Sequence, residues 1–338
     1  MKVAVLIASH NGAGTVAQAV ESARRQADVY VVSDGSTDGT AMVAFEAGAR
    51  IMALPENVGK PVALRKAFDA LGLRRYEWVL VVDDDTVLAP DFVERALEAV
   101  TPDTVIVVGH TGGQWPRRGK GRWNTLLGGR AYAYWKYQLL IRRAQSTLGV
   151  MTCISGSNSM VRTEVLAEVL GPTPYIVDDT YWTLEVQRRK LGRIAYARQA
   201  RAWVQDPTNL KDWYRQNLRW LHGSFQGIRG HRVGTKATAF DFWYGALVLD
   251  WLVYIVGLPV GVWAVTHYGF TMVWALGYLA WAVAAAVSLR RWELVVMAPA
   301  LVLQDWLYRV VFLHALLRSY TQPTSDVCRW TSPERNVA

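Results

Sequence analysis

The sequence is poor in cysteine, with only Cys153 and Cys328 in 338 residues. Two cysteines cannot form a disulfide framework, which excludes the small disulfide-stabilised secreted proteins and favours a reducing compartment. We also expect no signal peptide, because the apolar run Val3–Ala8 is too short for a signal sequence with a cleavage site. We expect this run to be the first strand of a sheet. No internal repeat or low-complexity tract occurs.

Acidic residues are in the minority, since 28 Asp and Glu face 37 Lys and Arg and leave a net charge of +9. A basic protein of this kind can bind nucleic acid or an anionic membrane surface. Many basic residues lie among Trp and Tyr in residues 115–147, and residues 208–235 are similar. Such segments are typical of helices at a bilayer interface. Stacking on single-stranded nucleic acid is the weaker alternative, so we expect no nucleic acid partner.

Residues 1–110 predict an α/β fold. Short apolar runs alternate with helical segments, which is typical of βαβ units and a mainly parallel sheet. The predicted strands are Val3–Ala8, Val29–Ser33, Arg50–Leu54, Val79–Val82 and Thr104–Gly109, and the predicted helices are Thr15–Gln26, Thr40–Ala47, Lys60–Leu71 and Pro90–Val100.

Three acids follow the apolar run Trp78–Val82: Asp83, Asp84 and Asp85. Ligands of open α/β sheets bind beyond the carboxyl ends of the strands. Because side chains alternate along a strand, we expect Asp83 and Asp85 on one face. Two neighbouring carboxylates need a cation or a ligand, and their hard oxygen atoms suit Mg²⁺ or Mn²⁺. The alternative is a polar loop in which Asp85 caps the next helix.

Two other predicted strands are followed by residues that suit a nucleotide pocket. Asp34 ends the second strand and begins a Gly-rich turn, where a carboxylate can accept hydrogen bonds from a base or ribose. Lys60 follows the third strand and can neutralise a phosphate or contact a base. An ordinary turn with Asp38 as a helix cap is the alternative for the first of these segments.

Further along, Ser155 and Gly156 form a small polar segment between apolar flanks, which leaves room for a bulky ligand. Asp178 and Asp179 are a second acid pair, for which a helix N-cap is the alternative interpretation. A third motif has residues at i, i+3 and i+4, which lie on one face of a helix. These residues are Gln216, Arg219 and Trp220. A surface helix or an interfacial Arg–Trp pair would explain them equally.

Two C-terminal segments, Phe242–Thr266 and Tyr268–Leu289, are apolar and reach the roughly 20 residues that cross a bilayer. Their short link predicts a helical hairpin, with a buried hairpin of a soluble protein as the alternative. A third segment, Trp292–Leu317, is long enough but contains charges, so we predict that it is transmembrane or partly re-entrant. Asp305 and Arg309 in this segment are four apart and predict a pair on one helical face.

Basic residues are dense before the first apolar segment and recur at Arg290 and Arg291, whereas residues 267–270 have no Lys or Arg. The positive-inside rule therefore predicts a cytoplasmic domain over residues 1–240. We expect a membrane domain of two to three helices over residues 241–320 and a tail over residues 321–338. The expected location is the cell membrane.

The order of these motifs resembles that of family 2 glycosyltransferases, specifically the processive polysaccharide synthases. Asp-Gly-Ser-x-Asp, Asp-x-Asp, Ser-Gly-Ser, an acid pair and Gln-x-x-Arg-Trp follow one another in the family's order. The likeness is closest to hyaluronan synthases and chitin-oligosaccharide synthases, and more distant to cellulose synthase. It covers about residues 3–230 and implies a GT-A type domain with a mainly parallel sheet, followed by transmembrane helices.

The resemblance implies a role for each matching residue. Asp34 and Lys60 would hold the uracil of a UDP-sugar, Asp83 would contact the nucleotide, and Asp85 would ligate the Mg²⁺ or Mn²⁺ that bridges the diphosphate. Asp179 would be the general base. The diphosphate and the acceptor sugar would be held by Gln216, Arg219 and Trp220, and the acceptor pocket would be lined by Cys153, Ser155 and Gly156.

The resemblance predicts a membrane-anchored, metal-dependent inverting enzyme that uses a UDP-sugar to extend a β-linked polysaccharide. One alternative is a transferase that adds a single sugar to a lipid-linked acceptor, and another is an inactive scaffold with the same fold. Hyaluronan and cellulose synthases have N-terminal transmembrane helices that this sequence does not predict. Whether one copy encloses a channel, or a homo-oligomer forms, is therefore left open.

Overall fold

The computed structural model describes residues 1–249, Trp251, Val260, Trp263 and 271–322. Its centre is an eight-stranded sheet flanked by helices. The strands are β1 (Val3–Ser9), β2 (Asp28–Asp34), β3 (Arg50–Leu54), β4 (Trp78–Asp83), β5 (Val87–Leu88), β6 (Thr104–Gly113), β7 (Asn158–Arg162) and β8 (Arg193–Val204). The helices of this domain are α1 (Val16–Ala23), α2 (Thr40–Glu46), α3 (Lys60–Ala70), α4 (Phe92–Leu97), α5 (Thr125–Tyr137), α6 (Arg143–Leu148), α7 (Thr163–Val169), α8 (Asp178–Arg188) and α9 (Leu210–Gly230).

The strand order is β3-β2-β1-β4-β7-β6-β8-β5. Four of the seven neighbouring pairs are parallel, as expected for a mainly parallel sheet, and the pairs that include β7 or β5 are antiparallel. Both faces are covered by helices, which explains why the central strands are continuously apolar. In β4, for example, Val79 and Val81 pack on the side of α3, whereas Leu80 and Val82 pack on the side of α1.

The predicted elements of residues 1–110 are all present, with ends that differ by a few residues. The short β5, together with β7 and β8, was not predicted. β7 follows directly after the small polar segment, and β8 has an irregular polar pattern because its register against β6 shifts between Gly109 and His110. This irregularity breaks the alternation by which a strand is recognised.

The basic and aromatic stretch 115–147 is mainly helical. α5 is followed by one π-helical turn, Gln138–Arg142, and then by α6. α5 packs on α9 and on the C-terminal helices, so a large part of this stretch is covered by protein. Its predicted location at a bilayer interface stays a prediction.

The C-terminal helices are α10 (Ala239–Leu249), α11 (Thr271–Leu289), α12 (Glu293–Val296) and α13 (Ala298–Thr321). Most of the first predicted span and its link, residues 267–270, lie outside the described residues, as do Cys328 and the predicted tail from residue 323 onwards. Within the described part of the chain, α13 is the one helix whose length and apolar composition would allow it to cross a membrane. The predicted pair is confirmed, since Arg309 Nη2 lies 3.1 Å from Asp305 Oδ2.

α13 is attached to the α/β domain along its length. Near its start, Gln304 donates a hydrogen bond to the carbonyl of Thr125 at 2.6 Å. At its end, the imidazole of His222 in α9 lies 3.1 Å from the carbonyl oxygen of Gln322. The outer face carries exposed apolar residues at intervals of three and four, which form one stripe along the helix: Leu303, Trp306, Val310, Leu313, Leu317 and Tyr320.

Candidate active site

The carboxyl ends of β1, β2 and β4 meet at one edge of the sheet, as predicted for strands joined in parallel. Asp34, at the end of β2, is buried and accepts hydrogen bonds from the backbone N–H groups of Val58 and Gly59 at 2.8 and 2.9 Å. Its carboxylate thus fixes the loop that leads into α3. Gly35 has a φ of +63°, and a Cβ there would lie 2.3 Å from the backbone nitrogen of Asn57, so only glycine permits this approach.

Of the three acids at the end of β4, the first lies in the strand and the other two in a turn. β4 ends at Asp83, and the next two residues form a turn in which the N–H of Thr86 donates to the carbonyl of Asp83 at 3.1 Å. The alternation of side chains along a strand therefore does not apply to Asp84 and Asp85, and a shared face of Asp83 and Asp85 stays a prediction. Asp84 is buried and accepts a hydrogen bond from the hydroxyl of Ser9. Asp85 is half-buried, and its backbone carbonyl accepts from the side chain of Gln114 at 3.0 Å.

Lys60 connects the acid at the end of β4 with the second acid pair. Its Nζ lies 2.5 Å from Oδ1 of Asp83 and 3.5 Å from the carbonyl oxygen of Gly156. Burial lowers the pKa of Lys60, but Asp83, Asp178 and Asp179 outweigh it and raise the pKa above its usual value, so the side chain is a cation. The observed partner of Lys60 is thus the carboxylate expected to contact the nucleotide, while its contact with uracil stays a prediction.

Asp179 lies in the first turn of α8. Burial and the neighbouring Asp178 raise the pKa of Asp179 to about 6, while the cations of Lys60 and Arg219 act in the opposite direction. Its Oδ2 accepts a hydrogen bond from the N–H of Gly156 at 3.2 Å. A carboxylate with this pKa is largely ionised at neutral pH and still basic enough to accept a proton.

The segment 153–156 lies directly against this acid. Cys153 Sγ is 3.5 Å from Oδ1 of Asp179, and burial raises the pKa of the thiol, which therefore stays protonated. A Cβ at Gly156 would lie 3.1 Å from Oδ2 of Asp179, so the glycine keeps the approach to the carboxylate open. The hydroxyl of Ser155 lies 3.2 Å from that of Thr111 and 2.9 Å from that of Ser157.

The Gln-x-x-Arg-Trp motif lies on α9, as its spacing predicted. Arg219 is close enough to Asp179 to lower its pKa. Gln216 is buried, and its Oε1 accepts a hydrogen bond from Nη2 of Arg130 at 2.8 Å. The guanidinium of Arg130 lies 4.8 Å from the ring centroid of Trp220.

The surroundings of Asp85 fit its predicted role as a metal ligand. Among the described residues, no three His, Cys, Asp or Glu side chains come together as a metal site. Mg²⁺ usually keeps several waters and binds through one or two carboxylates together with substrate phosphates. A single half-buried carboxylate in a turn beyond the sheet edge, with Asp83 two residues away, fits that kind of site.

The family follows from the sequence of this domain. A family model described as glycosyltransferase like family 2 matches residues 2–223, which include every site residue named above. The chain belongs to glycosyltransferase family 2. Its enzymatic class, predicted from the order of the motifs, is thereby confirmed.

Relatives with assigned names support the predicted likeness. An N-acetylglucosaminyltransferase of Mesorhizobium japonicum is 31% identical over 216 residues, which are 59% of this chain and 48% of the relative. Hyaluronan synthase 2 of Xenopus laevis is 31% identical over 179 residues, which are 50% of this chain and 31% of the relative. This chain thus spans less than half the length of these two relatives.

Two solved structures show the fold. A mannosyltransferase from Pyrobaculum calidifontis in complex with GDP-Man and Mn²⁺ has a TM-score of 0.57 and 17% identity, covering 94% of this chain and 87% of the other. S. aureus TarS 1–349 in complex with UDP-GlcNAc has a TM-score of 0.50 and 16% identity, covering 96% and 93%. The GT-A fold of this glycosyltransferase is confirmed.

Sequence reasoning missed residues that hold the predicted site residues in place. Arg130 lies in the basic stretch 115–147, but nothing in its spacing distinguishes it from the other arginines there. Asp206, which follows β8, is buried beside Arg130. Asn217 in α9 also contacts Arg130, at 3.0 Å. A pairing between distant segments leaves no local pattern by which it could have been found.

Proposed function

We propose that this family 2 enzyme is a membrane-anchored, metal-dependent inverting transferase that uses a UDP-sugar to extend a β-linked polysaccharide. The observation that carries the proposal is the position of Asp179, with a pKa raised to about 6, against the small segment 153–156 and beside the Lys60–Asp83 pair. A basic carboxylate and a cation thus lie together beside Gly156.

In this proposal Asp179 accepts the proton of the acceptor hydroxyl as the oxygen attacks the anomeric carbon of the donor sugar. The bond from that carbon to the UDP oxygen breaks in the same step, so the configuration inverts and no covalent enzyme intermediate forms. Lys60 and Arg219, the two cations that influence Asp179, would stabilise the negative charge that develops on UDP. Cys153 stays a protonated thiol and lines the pocket for the acceptor.

Asp85 would hold Mg²⁺ or Mn²⁺, with the donor diphosphate and water as the remaining ligands. The ion would supply positive charge at the departing diphosphate. Asp34 keeps the loop at residues 56–59 in place, and in this proposal its carboxylate edge also faces the uracil. Gln216, Arg219 and Trp220 hold the diphosphate and the acceptor sugar.

We further propose that the enzyme is bound to the cell membrane with the α/β domain on the cytoplasmic side. α11 is apolar, with Leu276, Leu279 and Val287 exposed. Arg291, after its end, donates to the carbonyls of Trp115 and Pro116 at 2.9 and 2.8 Å, which supports a cytoplasmic position for this end.

For α13 the contacts argue against the transmembrane alternative. A helix that crosses a bilayer has its ends on opposite sides, whereas Gln304 and Gln322 both contact the α/β domain. The exposed apolar stripe on its outer face suits a helix that lies in the plane of the bilayer surface. We therefore propose that α13 lies along the membrane surface, between the bilayer and α9.

The alternative acceptor is a single lipid-linked sugar. The packing of α9 against α13 favours this acceptor, since the ring centroids of Phe225 in α9 and Phe312 in α13 are 5.1 Å apart. A bilayer on the outer face of α13 would therefore lie close to the motif on α9. In this case the same residues would perform one transfer and release the product.

Purified protein in lipid nanodiscs, assayed with a panel of UDP-sugars and with Mg²⁺ or Mn²⁺, tests the proposal. We expect UDP release, and mass spectrometry should show a ladder of products that differ by one sugar. The Asp179→Asn variant should bind UDP but release it from the donor at a rate lower by roughly 10²-fold or more. A single adduct would favour the lipid-linked alternative, and no UDP release with any donor would favour an inactive scaffold.

A further inference from the structure

Arg130 in α5 is a buried arginine whose contacts converge on the motif of α9. Its Nη2 donates to Oε1 of Gln216 at 2.8 Å, and its Nη1 donates to Oδ1 of Asn217 at 3.0 Å. The guanidinium also lies 4.8 Å from the ring centroid of Trp220. One side chain from a different helix therefore contacts two of the three motif residues as well as the residue beside them.

The charge of Arg130 is balanced by Asp206. The Nε of Arg130 lies 3.3 Å from Oδ1 of Asp206, and the side chains are only 8% and 2% exposed. The hydroxyl of Tyr134 donates to the same oxygen at 3.1 Å. A buried ion pair of this kind adds little stability compared with apolar residues of similar size. Stability alone therefore does not explain the buried pair of Arg130 and Asp206.

We propose that Arg130 is a positioning residue, which sets the orientation of Gln216 and Trp220 for binding of the acceptor sugar. The proposal rests on the function proposed above, in which these two residues face the substrates. It assigns to the basic stretch 115–147 a role in the active site in addition to any contact with the membrane.

The orientation of Gln216 follows from the chemistry of its partner. The guanidinium of arginine has hydrogen-bond donors but no acceptor. It can therefore bond to the amide oxygen of Gln216 but not to the amide nitrogen. The amide nitrogen of Gln216 is therefore turned away from Arg130 and can donate to an acceptor hydroxyl or a diphosphate oxygen. Asn217 is fixed in the same manner, since its Oδ1 accepts from Arg130 while its Nδ2 donates to the carbonyl of Trp213 at 2.7 Å.

The ring of Trp220 is fixed by stacking. A guanidinium over one face of an indole is attracted by the ring electrons and occupies that face. The opposite face is then the one against which the C–H groups of a sugar can pack. A lysine at position 130 would keep the charge but not the planar fork that bridges Gln216 and Asn217 while it stacks on the ring.

The test compares Arg130→Lys with Arg188→Lys. Arg188 is a matched control, because it forms an equally buried pair with Asp241, at 2.6 Å, but does not contact the motif of α9. Binding of hyaluronan and chitin oligosaccharides is measured by titration calorimetry in an Asp179→Asn background, so that no turnover interferes. Binding of UDP with Mg²⁺ and the melting temperature are measured for the same proteins.

We expect Arg130→Lys to weaken binding of the recognised oligosaccharide about tenfold or more, as for the loss of hydrogen bonds from a charged group. In Arg130→Lys the affinity for UDP should change less than the affinity for the oligosaccharide. Arg188→Lys should lower the melting temperature without an effect on oligosaccharide binding. An unchanged oligosaccharide affinity in a folded Arg130→Lys protein would overturn the inference and leave the proposed function standing. If the protein with native Arg130 binds no oligosaccharide and the wild type releases no UDP, the proposed function fails and this inference fails with it.

Discussion

The ammonium group of Lys60 lies 2.5 Å from a carboxylate oxygen of Asp83, and the same cation acts on the pKa of Asp179. One lysine at the start of α3 thus connects the acid that ends β4 with the candidate base of α8. Because Asp178 raises the pKa of Asp179 and Lys60 lowers it, the two neighbours should have opposite effects on the pH dependence of the reaction.

Lys60→Met should move the acid limb of the kcat profile to higher pH by roughly one unit, as expected for the loss of a neighbouring opposite charge. Asp178→Asn should move the same limb to lower pH, since it removes a like charge. Initial rates of UDP release between pH 4.5 and 9 measure both shifts. Shifts in the same direction, or none in either variant, would mean that Asp179 is not the group that titrates.

The wild-type profile itself is a second prediction. A general base acts only when it is deprotonated, so activity should decline as the pH falls through about 6, the raised pKa of Asp179. Asp179→Asn keeps the shape of the side chain but cannot accept the proton, and the rate should fall by roughly 10²-fold or more. UDP binding, measured by calorimetry, should persist. A near-normal rate would assign the base elsewhere, with Asp178 as the next candidate.

The metal requirement is a third prediction and depends on Asp85. Activity should be lost in excess chelator and restored by Mg²⁺ or Mn²⁺, because a diphosphate and a carboxylate together suit these ions. Asp85→Ala should abolish turnover and weaken UDP binding in the presence of metal. Glu94→Gln, which removes an exposed carboxylate in α4, is the control and should behave as the wild type. Full activity in chelator would contradict the prediction.

The strands and the order of the motifs could be predicted because both are local. The buried strands of the parallel half are continuous apolar runs, and the polar residues that follow them mark the edge where ligands bind. The turn at Asp84 and Asp85 could not be predicted, because side chains alternate only within a strand and β4 ends at Asp83. Sequence periodicity does not define the end of a strand to that accuracy.

The contacts that complete the site could not be predicted, because they join distant segments. Arg130 and Gln216 are 86 residues apart, and Lys60 and Gly156 are 96 residues apart. Similarly, the composition of α13 predicts a transmembrane or re-entrant segment, but only its contacts with Thr125 and His222 show that both parts of the helix lie against one domain. Hydropathy reports how apolar a helix is, not what it packs against.

The position of α13 gives a fourth prediction. In a chain whose native cysteines are replaced by alanine, Gln322→Cys and Glu46→Cys should react with a membrane-impermeant maleimide from the same, cytoplasmic side. The reason is that the end of α13 contacts α9 of the α/β domain. Leu313→Cys, within the apolar stripe, should react slowly from either side because the bilayer covers it. Reaction of Gln322→Cys from the opposite side alone would show that α13 crosses the membrane.

The last prediction concerns the length of the product and depends on Trp220. Its ring is half-buried on α9, with Arg130 over one face and Arg219 next to it in the sequence. A sugar packed on the remaining face would stay bound while UDP leaves and a new donor enters, so that one chain is extended repeatedly. Arg219 acts on Asp179 from the same helix and therefore links the acceptor site to the reacting centre.

Trp220→Ala should therefore shorten the products, or stop elongation after the first transfer, while UDP binding changes little. Products are resolved by mass spectrometry at equal UDP release, so that a slower enzyme is not mistaken for a less processive one. Trp123→Ala is a suitable control, because this tryptophan is exposed in the same basic stretch as Arg130 but lies outside the motif. Unchanged product lengths in Trp220→Ala would remove the ring from the acceptor site. Single adducts from the wild type with every donor would show that the enzyme performs one transfer, and the lipid-linked acceptor would then be the substrate to pursue.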